Sequence, residues 1–158
     1  MKEYDTYIFD LDGTLLCTLE DLAASTNYAL RKNGMPEHSI DEIRMFVGNG
    51  VKKLMQRAIP NGENNSKFEQ TYALFRQHYL EHNLDTTHPY EGIPELLAEL
   101  KRRGKHLAIV SNKFYTAHKN CCNRSSCLVK LGFYYDTYCS SVWICLKLSH
   151  FSYKKNHL

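Results

Sequence analysis

No apolar run in these 158 residues approaches the roughly 20 needed to cross a bilayer. The first residues, Met1-Lys2-Glu3-Tyr4-Asp5, are charged and lack the apolar stretch of a secretion signal. A membrane span and a secreted disulfide framework are disfavoured together, and a soluble cytoplasmic protein is expected. The paired Cys-x-x-Cys spacing of a structural zinc site is missing as well. Cys17 stands alone, and Cys121, Cys122, Cys127, Cys139 and Cys145 lie late in the chain. Reduced thiols are the expectation, with a zinc-binding tail as the alternative. Acidic residues all but vanish after residue 118, where Asp136 stands against six Lys or Arg. The first 118 residues hold 14 bases and 16 acids, so the net charge of +3 joins two unlike parts. It gives no ground for a nucleic-acid partner.

Against that background the string Tyr7-Ile8-Phe9-Asp10-Leu11-Asp12-Gly13-Thr14-Leu15-Leu16 stands out. Its short apolar run reads as a strand, which puts Asp10 and Asp12 where the strand ends and the chain turns. In an open α/β sheet, ligands bind beyond the C-terminal ends of the strands. Two carboxylates at one tip repel each other unless a cation lies between them. Mg2+ suits that place, because it takes a few oxygen ligands and completes its octahedron with water and substrate phosphate. The string therefore points to phosphate chemistry on a metal, with one aspartate as nucleophile and the other as proton carrier. An EF-hand loop starting at Asp10 would need Gly where Leu15 stands and Glu where Asp21 stands. A plain acidic turn after an edge strand would not require so ordered a string.

Thr18 followed by Asp21 predicts a capping-box helix start. Leu19, Leu22, Ala23, Thr26 and Leu30 then share one face, and Asn33-Gly34 closes the helix. Ser39 with Glu42 predicts a second start, carrying Ile40, Ile43 and Phe46. Val51, Leu54, Met55 and Ala58 give a third face that ends at Pro60, and Asn61-Gly62 turns the chain. Phe68, Tyr72, Phe75 and Tyr79 form a longer aromatic stripe. It reads as core and not as a ligand platform, because helical period marks a buried face. Residues 17–84 are thus a helical insert directly after the acidic tip, where a lid belongs. Within it Gly48 and Gly50 flank Asn49, which permits positive backbone angles and close approach to a ligand, or else a simple interhelix turn.

Pro89-Tyr90-Glu91-Gly92-Ile93-Pro94 returns the chain to α/β character. Ile93, Leu96, Leu97 and Leu100 predict a helix. Its Lys101-Arg102-Arg103-Gly104 end complements the helix dipole and is not read as a binding patch. His106-Leu107-Ala108-Ile109-Val110 reads as a strand buried on both faces and ends in Ser111-Asn112-Lys113. A serine hydroxyl at such a tip, beside the acidic one, can donate to a phosphate oxygen, although Ser-Asn alone would be an ordinary turn.

The string Asp10-Leu11-Asp12-Gly13-Thr14-Leu15 resembles the first motif of the haloacid dehalogenase superfamily in its phosphatase form. Ser111-Asn112 resembles the second motif, and Pro89-Tyr90-Glu91-Gly92 the usual re-entry from the cap. Phe46-Val47-Gly48-Asn49-Gly50 looks like the cap loop of phosphoglycolate phosphatases, which reaches over the active site. The resemblance implies an α/β fold, a Rossmann-like parallel sheet core with an inserted helical cap. Residues 1–16 and 85–158 would form the core and 17–84 the cap. It further implies Mg2+-dependent hydrolysis of a small phosphorylated metabolite, phosphoglycolate first among candidates, with no nucleic-acid or membrane partner. Asp10 would form an aspartyl-phosphate. Asp12 would protonate the leaving alkoxide and then activate water, and Mg2+ would be held by Asp10, the Asp12 backbone carbonyl and waters. Gly13, Thr14, Ser111, Asn112, Gly48 and Asn49 would contact the substrate.

The resemblance covers residues 4 to about 116 and fades beyond. The superfamily's downstream lysine, which neutralises nucleophile and phosphate charge, is matched by Lys147 in Leu146-Lys147-Leu148-Ser149, ahead of Lys113 and Lys130. The later acidic metal motif has no counterpart, because Asp136 in Phe133-Tyr134-Tyr135-Asp136-Thr137 looks like a structural segment. In the resembled sheet the strand carrying that motif pairs beside the first strand. An open edge is therefore expected unless Val142-Trp143-Ile144-Cys145-Leu146 covers it. The rise in Cys, Ser and Tyr after about Thr116, with the loss of acids, points to a tail outside the original reading frame or to a truncated, aberrant C-terminal part. The alternatives are a pyrophosphatase of the same fold and a catalytically inactive remnant that keeps the phosphate pocket. A dehalogenase is disfavoured, since an alkyl halide has no need of the acid Asp12.

Overall fold

The computed structural model describes residues 4–111 and 113, together with the backbone of two later strands. Strand β1 (Thr6–Phe9) leads into the acidic turn, and a short strand β2 (Leu16–Cys17) follows. Four helices come next, α1 (Leu19–Lys32), α2 (Ile40–Phe46), α3 (Val51–Ala58) and α4 (Phe68–His82), with a single 3-10 turn at Gly62–Asn64. Strand β3 (His88–Pro89), helix α5 (Ile93–Arg102) and strand β4 (His106–Ser111) return to the sheet, and β5 (Tyr134–Cys139) and β6 (Val142–Leu146) complete it.

The described residues bury two separate apolar clusters. One joins the sheet to α5 through Leu11, Leu15, Leu16, Leu97, Leu100, Leu107 and Ile109, with Tyr7 and Phe9 packed against it. The other lies among α1–α4 and holds Leu22, Leu30, Ile43, Leu54, Met55, Phe68, Phe75 and Tyr79. Full burial of side chains of this size contributes about 1.5–3 kcal/mol each, which makes both layers cohesive in their own right. The helical faces expected from the sequence are buried or half-buried, except that Ile40 and Leu96 are 39% and 44% exposed. The basic end of α5 folds back on its own helix: Arg102 and Arg103 both donate to Glu99 and hold its carboxyl down at a pKa of about 2.

The two helix starts predicted from the same pattern behave differently. Ser39 forms a full capping box: its hydroxyl accepts from the Glu42 N–H at 3.3 Å, and its own N–H donates to the Glu42 carboxylate at 2.8 Å. Ser39→Ala should cost about 0.5–2 kcal/mol in a denaturant titration, and a loss below that range would show α2 to be held by packing alone. Thr18 makes no side-chain cap, and Asp21 does not reach back to it. Asp21 turns instead to the far end of the helical layer. Its two oxygens accept from the N–H and hydroxyl of Thr86 and of Thr87, at 2.7–3.0 Å. Long-range donors in a buried setting outcompete the local cap, and the capping-box expectation at Thr18 is corrected accordingly.

These bonds, with the antiparallel β2–β3 ribbon that pairs Leu16 with Pro89 and Cys17 with His88, lace together the two passages between sheet and helices. In the sheet, β1 and β4 pair in parallel in the register Thr6–His106 to Phe9–Ile109, which brings the tips after Phe9 and Ser111 side by side. β6 runs antiparallel to β4, and β5 antiparallel to β6, giving the order β1-β4-β6-β5. Val142–Leu146 therefore takes the side of β4 away from β1 and does not cover the β1 edge. Among the described residues that edge is unpaired, and Ile8 is 66% exposed. Asp136 lies on β5, the strand farthest from the acidic tip.

Candidate active site

The turn after β1 is built by its leucines. The Leu11 carbonyl accepts from the N–H groups of Leu15 and Leu16 at 3.0 Å, and the Gly13 N–H donates to the Leu16 carbonyl at 2.9 Å, with Gly13 at φ 75°. With Leu11, Leu15 and Leu16 anchored below, Asp10 and Asp12 are left at the rim of a cleft. The sheet side of that cleft is Asp10, Asp12, Ser111 and Lys113. The helical side is Leu22, Val47, Gly48, Asn49, Gly50, Val51, Leu54 and Tyr79.

The cleft thus brings together Asp10, Asp12, Ser111, Gly48 and Asn49 from the sequence-predicted set. Gly13 and Thr14 do not line it; they form the exposed turn behind it. Asn112 and Lys147 lie outside the described residues, as do Lys130 and the cysteines at 121, 122 and 127 on which a zinc site would draw. The loop from α2 to α3 has three successive positive angles, φ 110° at Gly48, 62° at Asn49 and 85° at Gly50. A Cβ on Gly48 would meet nothing within 4 Å, so the glycine answers to backbone conformation and not to crowding.

Lys147 lies outside the described residues, and among the described residues the lysine that lines the cleft is Lys113. Its side chain is 1% exposed, and its ammonium lies 2.8 Å from an Asp12 carboxylate oxygen and donates to the Tyr79 hydroxyl. Lys113 stands two residues beyond the end of β4. Tyr79 was missed because its stripe reads as core, which describes its ring but not its hydroxyl. Ser111, 2% exposed, accepts from the Lys113 N–H at 3.2 Å and keeps its own hydroxyl proton for donation.

Burial raises the Asp10 carboxyl above its ordinary pKa. The Leu11 N–H, 2.8 Å from its oxygen, pulls it back; the charge of Asp12 raises it further and that of Lys113 lowers it. A second cation at this tip would relieve what remains. The donors at hand are hard oxygens, the Asp10 carboxylate and the Asp12 backbone carbonyl, of the kind that Mg2+ takes one or two at a time while keeping several waters. Among the described residues no group of three or more His, Cys, Asp or Glu gathers, so water and substrate would complete the shell. The two aspartates fit Mg2+ on those terms.

Fold and cleft define an α/β protein with paired aspartates at a strand tip, roofed by an inserted layer of helices. A family model described as haloacid dehalogenase-like hydrolase matches residues 7–131, and the chain belongs to that family. It is 35% identical over 130 residues to a phosphoglycolate phosphatase of Aquifex aeolicus, covering 82% of this chain and 57% of that protein. A phosphoglycolate phosphatase of Thiobacillus denitrificans is 36% identical over 111 residues, 67% of this chain and 48% of its own length. Among solved structures, a predicted phosphoglycolate phosphatase from Haemophilus somnus superposes with a TM-score of 0.75 at 30% identity, covering 83% of this chain and 61% of that one. The chain spans about half to three-fifths of the length of these relatives. No helix among its described residues is long and apolar enough to cross a membrane.

Proposed function

We propose that this chain is a Mg2+-dependent hydrolase of a small phosphomonoester, phosphoglycolate first among candidates, working in the cytoplasm with no nucleic-acid or membrane partner. The observation that carries the reading is the convergence of Asp10, Asp12, Ser111 and Lys113 on one cleft at adjacent parallel strand tips. The relatives' names support the substrate class. Residues 17–84 act in this reading as a cap over a core of 1–16 and 85–158.

An oxygen of Asp10 attacks phosphorus. The ester P–O bond breaks, its electron pair leaves with the alkoxide, and Asp12 supplies the proton. Water then gives a proton to Asp12 while its oxygen attacks phosphorus. The bond from phosphorus to Asp10 breaks, and inorganic phosphate leaves with both carboxyl groups restored. Ser111 and the backbone amides near it hold the non-bridging oxygens, and the charge of Lys113 offsets the negative groups beside it. Mg2+, held by the Asp10 carboxylate and the Asp12 backbone carbonyl, would supply Lewis-acid stabilisation of the phosphoryl charge.

The test is release of inorganic phosphate from phosphoglycolate, a generic phosphomonoester and pyrophosphate, each with Mg2+ and with a chelator. Chelation should lower release from the ester by at least about a hundredfold, since Lewis-acid stabilisation is worth several kcal/mol. A preference for pyrophosphate would move the assignment to a pyrophosphatase. No release from folded protein under any condition would overturn the proposal and leave an inactive relative.

A further inference from the structure

Tyr79 is fully buried, with its ring stacked on Phe75 at a centroid distance of 5.5 Å. For that packing a phenylalanine would serve as well. What tyrosine adds is an oxygen inside an apolar cluster, which is costly unless it is hydrogen-bonded. One bond it finds reaches outside the helices. Lys113, from the loop after β4, donates to it, and the same ammonium lies 2.8 Å from an Asp12 oxygen and 4.8 Å from the centre of the Tyr79 ring. A buried ammonium is expensive unless its donors are met, and of the partners of this one Tyr79 belongs to the helical layer and Asp12 to the sheet. α4, Lys113 and Asp12 are thereby joined in one row that runs from the helical layer to the acidic tip.

We propose that Tyr79 is a positioning residue for the reacting carboxylates, acting through Lys113. Its hydroxyl and ring face hold the Lys113 ammonium against one oxygen of Asp12. That fixes the rotamer in which the other oxygen faces the cleft for proton transfer. The kinetic consequence rests on the phosphatase reading; the tie itself does not.

The test compares wild type, Tyr79→Phe, Lys113→Met and the double variant. Tyr79→Phe keeps the stacked ring and removes only the oxygen. The first readout needs no turnover: reductive methylation followed by mass spectrometry gives the labelling rate of Lys113 against that of exposed Lys53. Lys113 should be protected in wild type and approach the rate of Lys53 in Tyr79→Phe. The second readout is steady-state phosphate release with Mg2+. Tyr79→Phe should lower kcat by roughly ten- to a hundredfold, with KM changed by less than about twofold, as for a misplaced reacting group. On the Lys113→Met background the same substitution should change nothing further, whereas a packing role would lower kcat in both backgrounds.

Unchanged protection of Lys113, or a kcat effect that persists without Lys113, overturns the proposal. Wild-type Lys113 labelled as fast as Lys53 overturns it as well, even if no variant folds. Wild type that releases no phosphate, with Lys113 freed in Tyr79→Phe, removes the phosphatase reading and upholds the tie.

Discussion

Asp10→Asn should lower phosphate release by at least about a thousandfold, because the carboxamide keeps the shape of the side chain and loses the nucleophile. Asp12→Ala should act differently, stopping most leaving-group departure while Asp10 can still attack. The informative companion to the lost rate is the direction of the stability change. Burial and the charge of Asp12 raise the Asp10 pKa, with the Leu11 N–H and Lys113 offsetting only part. In metal-free protein near neutral pH the folded state therefore carries a carboxylate that it holds less well than the unfolded chain does. Stability that this group contributes is present below its unfolded pKa and is lost as pH rises through the higher folded one. Removing the charge should leave the metal-free variant as stable as wild type at pH 7, or more so. A dead and destabilised variant would mean that Asp10 is structural, and one with near-normal rate would refute its role as nucleophile.

Where local chemistry decides structure, the sequence was readable. The period of β1, the faces of α1–α5 and the capping box at Ser39 all depend on residues within a turn or two of one another. Thr18 and Asp21 carry nearly the same pattern and follow another course. The difference is Thr86 and Thr87, which lie 65 and 66 residues from Asp21 and give it four donors. No local reading contains them.

The site divides in the same way. Asp10 and Ser111 were legible as cleft residues because each follows an apolar run, and Asp12 because it shares the turn with Asp10. The contacts of Lys113 with Asp12 and Tyr79 were not legible, because they join residues 101 and 34 positions apart. Tyr79 lay hidden in a stripe whose period describes only which face is buried. The parallel pairing of β1 with β4 follows from the crossover through α5. The antiparallel seat of β6 beside β4 depends on which edge is free, which is a property of the assembled sheet.

The largest stability effect outside the apolar clusters is expected at Asp21, which is 2% exposed. Asp21→Ala removes the acceptor of four hydrogen bonds and leaves two N–H groups and two hydroxyls to find water. Thr86 is exposed and recovers most of its bonding, while half-buried Thr87 recovers less. Bonds to a charged acceptor are each worth about 1.5–3 kcal/mol but do not add within one network, so a net loss of about 2–4 kcal/mol is expected. That is a large share of the 5–15 kcal/mol by which a typical domain is stable. Asp21→Asn should fall between, since its amide offers one acceptor oxygen and turns an NH2 toward groups that are themselves donors. The clamp ties the start of α1 to the chain leaving α4, and α4 carries Tyr79. Loosening it should therefore also speed methylation of Lys113 in the intact protein. Urea denaturation of the three proteins reads the first effect and mass spectrometry the second. An Asp21→Ala protein within about 0.5 kcal/mol of wild type, the range of ordinary surface substitutions, would show that the ribbon of β2 and β3 holds the two layers without the clamp.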